Sequence, residues 1–353
     1  MGFFGGGRTI QGEPGPIVGP IAMVFGYIVD FIFNFIYNIS VNHSLGFSII
    51  FLTIFVRLVM VPLAIKQQKS MLAMQRLNPE IQKIRDKYGK SKDPEMQRKM
   101  NVEIQSVYTK NKVNPLGGCL PMFVQMPLFF GLSFIMHQSH LYVTRLGSIY
   151  TDISQFLIEN IPHNPYISTM NQLALPYATS SMIENREINL LDSAHVNRVL
   201  NVFGEVEWAY LRGLVNNYAP EVYYQFSNMV EHRAQIENFF GMTLTAPTGV
   251  SWPGIMIPIL AVITTMGTSW VTQKMNVVTD ERVRMQQKIM MTVMPVMMGV
   301  MTVGLPAGVG IFWITGSVFH IVQQIIFNNR SGIPLFEKPL FNKSVQLDKS
   351  DKK

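Results

Sequence analysis

The sequence predicts an all-α polytopic membrane protein, with five transmembrane helices around a hydrophilic groove and a cytoplasmic helical hairpin. Three observations carry that expectation. First, 48% of the 353 residues are hydrophobic and only 14% are charged, with a mean hydropathy of +0.20, which is too apolar for an ordinary soluble domain. Second, five apolar segments approach the roughly 20 residues that a bilayer core requires. Third, the lysines gather in one loop between the first two of those segments.

The five expected spans are Leu45 to Ile65, Leu116 to Met136, Gly254 to Val271, Ile289 to Val303 and Ala307 to Phe327. Ile289 to Val303 is short, and only Gly304, Leu305 and Pro306 separate it from the next span. Those two therefore form a tight hairpin, and the short span is expected to thin the bilayer or stop short of crossing it. Around the spans the chain divides into an irregular Gly- and Pro-rich tail (1–20), a helix (21–43), the first two spans with their hairpin (44–136, hairpin 66–113), an outer loop (137–253), the last three spans (254–327) and a basic tail (328–353). The first 20 residues lack the basic and apolar regions of a cleavable signal.

Orientation follows the cations. The loop after the first span carries Lys66, Lys69, Arg76, Lys83, Arg85, Lys87, Lys90, Lys92, Arg98, Lys99, Lys110 and Lys112, which outnumber its acids, so it is cytoplasmic by the positive-inside rule. Alternation then puts 137–253 outside, where no lysine occurs, and the lysine-rich C-terminal tail inside. The net charge of +7 is what such loops produce, and no helix-turn-helix or RNA-binding signature accompanies it. No specific nucleic acid is expected as a partner.

Ile21 to Ile39 is long enough to span, yet Asp30, Asn34 and Asn38 recur every four residues as one polar stripe, which suits an amphipathic helix lying in the interface. Within the cytoplasmic loop, Met71, Met74, Leu77, Ile81, Ile84 and Tyr88 form one apolar stripe and Met96, Met100, Ile104 and Val107 another. Lys90 to Pro94 makes the turn, with Asp93 as N-cap and Pro94 at the first helical position. Asn78-Pro79-Glu80 reads as a second helix start, so a break is expected there. Lys83, Arg85, Lys87, Lys90 and Lys92 give this hairpin a cationic contact face. In the outer loop, Leu190 to Phe203, Trp208 to Val215 and Val222 to Phe240 have helical spacing and predict a small helical cap.

Arg57 stands out. It lies nine residues before Lys66, about 13 Å from the end of its span at 1.5 Å per residue, and no expected span contains Asp or Glu. An arginine at that depth in lipid costs at least about 2.5 to 3.5 kcal/mol, so it is expected to face a cavity or partner. Thr53 lies four residues earlier on the same face. Gln125, Thr268, Ser269, Gln273, Thr315, Ser317 and Gln323 add uncharged donors and acceptors in other spans, and together these residues suggest a hydrated groove.

Cys119 is the only cysteine, which excludes a disulfide framework or thiolate cluster. His137, His140, His163, His195 and His232 have no metal-ligand spacing beyond a weak pair at 137 and 140, and no nucleophile with its base is visible in the spans. No enzyme activity, metal or cofactor is expected.

The segments FSIIFLTIFVRLVMVPLAIKQQKSM (Phe47 to Met71), the NPE and KYG of the hairpin, NPLGGCLPMFVQMPLFFGL (Asn114 to Leu132), PAGVGIFW (Pro306 to Trp313) and HIVQQ (His320 to Gln324) resemble the YidC-type membrane protein insertases of bacteria, mitochondria and chloroplasts. The resemblance covers residues 21–136 and 239–328. It implies a five-span core in the plasma membrane, around a groove open to cytosol and lipid but closed outside. Arg57 matches the groove arginine, and Thr53, Gln125 and Trp313 fall at groove positions. It also implies nascent membrane proteins as clients, the lipid bilayer as solvent, and the ribosome and Sec translocon as partners of the hairpin. Phe312, Gly316 and Ser317 depart from the usual tyrosine and asparagine of the last span, and the outer loop is longer than in compact relatives.

The expected function is that of an insertase and folding chaperone. Arg57 attracts a client's polar or acidic tail into the groove while its apolar helix slides along a lining of Met290, Met291, Met294, Met297, Met298 and Met301. The alternative is a solute channel or transporter using Arg57 as an anion site, for which the internal repeats and broken helices of transporters are lacking.

Overall fold

The computed structural model describes residues 18–89, 93–111, 113, 120–177, 188–275 and 281–330. Lys90, Lys92, Cys119, both chain termini, the start of the second expected span and the side chain of Gln273 lie outside the described residues. What is described is an almost purely helical, polytopic membrane protein. Its long helices are α1 (Val18–Ile39), α2 (Ser44–Tyr88), α3 (Pro94–Lys110) and α4 (Leu120–His137). The cap follows with α5 (Ser139–Tyr142), α6 (Thr144–Asn160), α7 (His163–Ala174), α8 (Ser193–Leu200), α9 (Glu205–Tyr218), α10 (Tyr223–Glu237) and the two-residue strands β1 (Asn238–Phe239) and β2 (Met242–Thr243). The chain ends in α11 (Met256–Met275), α12 (Glu281–Val303) and α13 (Ala307–Arg330).

Among the described residues, Ala22–Ile39, Ser44–Met74 and Ala307–Asn329 are long and apolar enough to cross a membrane, with shorter apolar stretches at Met256–Thr272 and Met291–Val303. The tight hairpin between the last two helices is present, because α12 stops at Val303 and α13 starts at Ala307. The segment entering α11 lies against that turn: Ala307 N donates to Ala246 O and Gly308 N to Leu244 O (both 2.9 Å), while Thr248 N donates to Leu305 O (3.2 Å) and Gly249 N to Val303 O (3.1 Å). Backbone groups that a bilayer could not satisfy are thereby paired.

The chain divides into two compact units, 1–56 with 125–262 and 297–315, and 57–124 with 263–296 and 316–353. The first unit has one continuous apolar core. It joins Leu45, Ile49 and Leu52 of α2, Leu132, Ile135 and Met136 of α4 and Val309 and Phe312 of α13 to cap residues such as Tyr150, Leu200, Trp208 and Phe226. Glycines permit the close approach of its helices. A Cβ on Gly308 would sit 2.7 Å from the Met136 sulfur and 2.9 Å from Ile49, Gly310 faces Ile257, and Gly299 faces Val262. Small residues at such crossings are how helices in lipid gain packing contact.

The cap is more helical than the sequence indicated. The expected Leu190–Phe203, Trp208–Val215 and Val222–Phe240 correspond to α8, α9 and α10, but α6 and α7 had not been anticipated. Their buried faces, with Leu146, Tyr150, Ile153, Phe156, Tyr166 and Met170, complete the core. The polar stripe of α1 also has a use that the sequence did not suggest. Asp30 accepts from Thr144 N (2.8 Å) and Thr144 Oγ1 (3.0 Å) at the start of α6, and Asn34 Oδ1 accepts from Arg145 Nε (2.9 Å). Arg145 stacks 4.6 Å from the Tyr37 ring, and the Tyr37 hydroxyl meets His232 Nε2 at 2.9 Å. The stripe docks α1 onto the cap through Asp30 and Asn34, while Asn38 stays exposed.

Helix α2 runs unbroken for 45 residues through Pro62 and Pro79, so the break expected at Asn78-Pro79, in the second unit, is absent. Proline removes one ladder hydrogen bond. Burial of Ile81 and Ile84 against Val107, with Leu77, Tyr88, Met100 and Ile104 around them, holds the helix together across it. Asp93 caps α3 by accepting from Glu95 N, with Pro94 in the first turn, as the sequence indicates.

A buried ion pair sits inside the cap. Arg233 is 1% exposed and Glu237 fully buried; the two are hydrogen-bonded, Tyr150 donates to Glu237 Oε1 (2.9 Å), and the guanidinium lies 4.2 Å from the Trp208 ring. Burial works against the Arg233 charge, and Glu237, Tyr150 and Glu205 together more than offset it. Removing one partner strands the other charge, so Glu237→Gln is expected to cost about 3 to 5 kcal/mol of stability, read as a lowered melting temperature in detergent. Replacing the pair together, Arg233→Met with Glu237→Leu, should recover most of it.

His140 predicts a pH dependence. Burial pushes its imidazolium down to about 4 from 6.5, Asn201 opposes the shift weakly, and the Arg198 charge adds to it. Between those two values the unfolded chain binds a proton that the folded cap refuses, so stability is full above pH 6.5 and falls as pH drops toward about 4. Melting temperatures measured across that interval should decline, with a shallower slope in His140→Gln.

Candidate functional site

Arg57 lies in the first third of α2, near the middle of the expected span Leu45 to Ile65, where the helix has two faces. Phe51, Phe55, Leu58 and Val59 are exposed, which suits contact with lipid, and Arg57 is half-buried on the other side. Its guanidinium packs against α13 in the second unit, where a Cβ on Gly316 would lie 2.6 Å from Nη2 and 3.1 Å from Nε. Only a residue without a side chain leaves that space. His320, one turn further along α13, is near enough to feel the Arg57 charge.

No carboxylate pairs with Arg57 among the described residues, and none of its nitrogens is sealed away unpaired. Guanidinium has five N–H donors and no means of losing its proton in a protein, so this group requires water or an anionic partner. Further polar groups of the same unit lie at the middle of α2 and in the last turns of α13. Gln67, Gln68, Gln324 and Asn328 are buried, and Gln67 Nε2 and both amide atoms of Asn328 are enclosed without a protein partner. Buried groups of this kind are satisfied by water. The adjacent pairs Gln67-Gln68 and Gln323-Gln324 are the signal that the sequence offers for this polar region.

The sequence-predicted groove residues divide between the units. Arg57, Thr268 and Ser269 belong to the second, in which α11 also meets α13 closely, since a Cβ on Gly267 would lie 3.1 Å from Ile321. Thr268 Oγ1 donates to Thr265 O (2.7 Å). Thr53, Gln125 and Trp313 belong to the first. Thr53 is fully buried and its hydroxyl is engaged by Ile49 O at 2.6 Å. Trp313 meets Phe129 edge-on at 6.1 Å and flanks the apolar core, and Gln125 Nε2 is enclosed without a partner. Of the methionines on α12, Met294 and Met297 are exposed, while Met298 is buried and Met301 packs on the core.

On the hairpin, Lys83 is exposed. Lys87 instead bonds Glu103 at 3.0 Å, and hydrogen bonds from Lys87 and then Tyr88 hold the Glu103 carboxyl below its usual range. The cationic face is therefore partly neutralised from within.

The family model described as 60Kd inner membrane protein matches residues 35–197 and 220–333, well over half of the chain. The chain belongs to that family. Membrane protein insertase YidC 2 of Bacillus anthracis is 53% identical over 75 residues, covering 21% of this chain and 29% of the relative. Membrane protein insertase MisCA of Bacillus subtilis is 47% identical over 76 residues, 22% and 29% of the two chains. Membrane protein insertase YidC of Oceanobacillus iheyensis is 26% identical over 279 residues, 77% and 70%. The chain thus spans under a third of the length of the strongest local relatives, and the 60Kd inner membrane protein match passes over residues 198–219 of the cap.

The Gly316 socket makes a direct prediction. Gly316→Ala should displace the Arg57 guanidinium and change its rate of modification by phenylglyoxal severalfold, followed by peptide mass spectrometry, with the melting temperature nearly unchanged.

Proposed function

We propose that this chain is a membrane protein insertase and folding chaperone that brings polar tails of client proteins partway across the bilayer and releases their helices into lipid. The observation that carries the reading is Arg57, a guanidinium in an apolar helix with no carboxylate partner among the described residues, in a unit where Gln67 and Asn328 are also enclosed without a protein partner. Names given to its relatives, all membrane protein insertases, support the same reading.

The mechanism is reduction of a desolvation barrier. A charged tail entering hydrocarbon costs several kcal/mol; a hydrated groove around Arg57, Thr268, Ser269 and Gln273 removes most of that cost, and attraction to the guanidinium holds the tail at mid-depth. The apolar client helix is meanwhile exposed to lipid along adaptable methionines such as Met294 and Met297. We further propose a bacterial plasma membrane location with the α2–α3 hairpin and the C-terminus cytoplasmic, an orientation that the lysine distribution supports. Exposed hairpin cations such as Lys83 would then meet the ribosome or Sec translocon. Because α1 is docked along the cap, its interfacial placement is favoured over a sixth crossing.

The test is insertion by the purified chain in proteoliposomes, using one single-span client with an acidic translocated tail and the same client with a neutral tail. Arg57→Ala is expected to lower insertion of the acidic form about tenfold, equivalent to about 1.4 kcal/mol, and the neutral form much less. Arg57→Lys should retain most activity. Equal insertion by wild type and Arg57→Ala would overturn the electrostatic mechanism.

A further inference from the structure

The cap contains a basic cleft that the insertase reading does not use. It lies among α5, α6 and α8, has a volume of about 300 Å³, and is lined by His140, Gly147, Thr151, His195 and Arg198 among others. Gly147 is what lets α6 close on α5, since a Cβ there would collide with the His140 carbonyl oxygen.

Three donors converge on this cleft. His140 is 7% exposed, and neither ring nitrogen makes a hydrogen bond of normal geometry. His195 accepts from Asn189 N at Nδ1 (3.0 Å), which fixes its proton on Nε2 and leaves that nitrogen a donor. Arg198 has no carboxylate partner among the described residues. The acid nearest in sequence, Asp192, is engaged in capping α8 through Ala194 N (2.9 Å). General basicity does not account for the cluster, because His137 to Pro253 holds ten acidic residues against five arginines. An uncompensated guanidinium beside two imidazoles in an otherwise acidic domain matches one ligand chemistry, a tetrahedral oxyanion, which the guanidinium fork binds bidentately.

We propose that the cleft between α5, α6 and α8 is a phosphate-binding site, with Arg198 as the principal ligand, His195 Nε2–H as a second donor and His140 at the buried wall. The phosphate belongs either to an anionic lipid headgroup, which α5 is placed to meet because it directly follows the membrane helix α4, or to a soluble phosphate compound. The cleft belongs to the first unit and Arg57 to the second, so the site is tested independently of the insertase reading.

Two arms test it on the full chain in detergent. In one, inorganic phosphate is titrated calorimetrically; in the other, retention of phosphatidylglycerol is followed by native mass spectrometry. Wild type should bind in at least one arm, and Arg198→Ala should weaken that binding about tenfold, with Arg198→Lys intermediate and Arg212→Ala, on α9, unaffected. His195→Ala, at unchanged melting temperature, is the second variant should Arg198→Ala not fold. Phosphate binding alone assigns a soluble ligand, and lipid retention alone assigns a headgroup. Binding in neither arm, or binding that Arg198→Ala and His195→Ala leave intact, overturns the proposal.

Discussion

Close approach of helix backbones is the constraint on which the first unit rests. Lipid is as apolar as leucine, so no hydrophobic force gathers spanning helices, and dispersion contact must do it instead. Gly299, Gly308 and Gly310 each face a large side chain at a distance that no Cβ would allow. Gly46 does the same for Phe239 of the cap hairpin. The core formed in this way continues from α2, α4 and α13 into the cap without interruption, so the cap and the helix ends beneath it are one folded body rather than a domain tethered to a bundle.

The second unit uses glycine for a different end. Gly316 makes room for a charged group where the first unit's glycines make room for Met136, Ile49 or Val262. The same long helices therefore supply a dry, packed stretch in one unit and a stretch with Arg57, Gln67, Gln324 and Asn328 in the other. Packing of the first kind holds helices together, whereas enclosed polar groups of the second kind call for water or a partner.

Polar residues in the cap follow a third logic. Asp30, Asn34, Arg145, Tyr37 and His232 fix α1 in place, and Arg233 with Glu237, Tyr150 and Trp208 forms a buried, nearly closed cluster. Each of these groups has an identifiable partner. Arg198 stands apart because it has no carboxylate partner among the described residues, and that difference separates a candidate ligand site from polar groups that only hold the cap together.

Sequence alone determined the membrane class, the existence of α2, α11, α12 and α13, the tight turn at Gly304 to Pro306, the hairpin stripes and the singular position of Arg57. These follow from local physics: apolar run length, three-to-four spacing, capping chemistry and the expense of a charge in hydrocarbon act within one segment and leave their mark there. Tertiary structure decided the rest. Pro79 is carried inside a continuous helix because α3 packs across it, Thr53 is buried with its hydroxyl turned back to Ile49 O, and Gly316 becomes the seat of a guanidinium 259 positions earlier in the chain. A residue's partner at long range is set by which helix faces meet, and neither composition nor periodicity encodes that pairing.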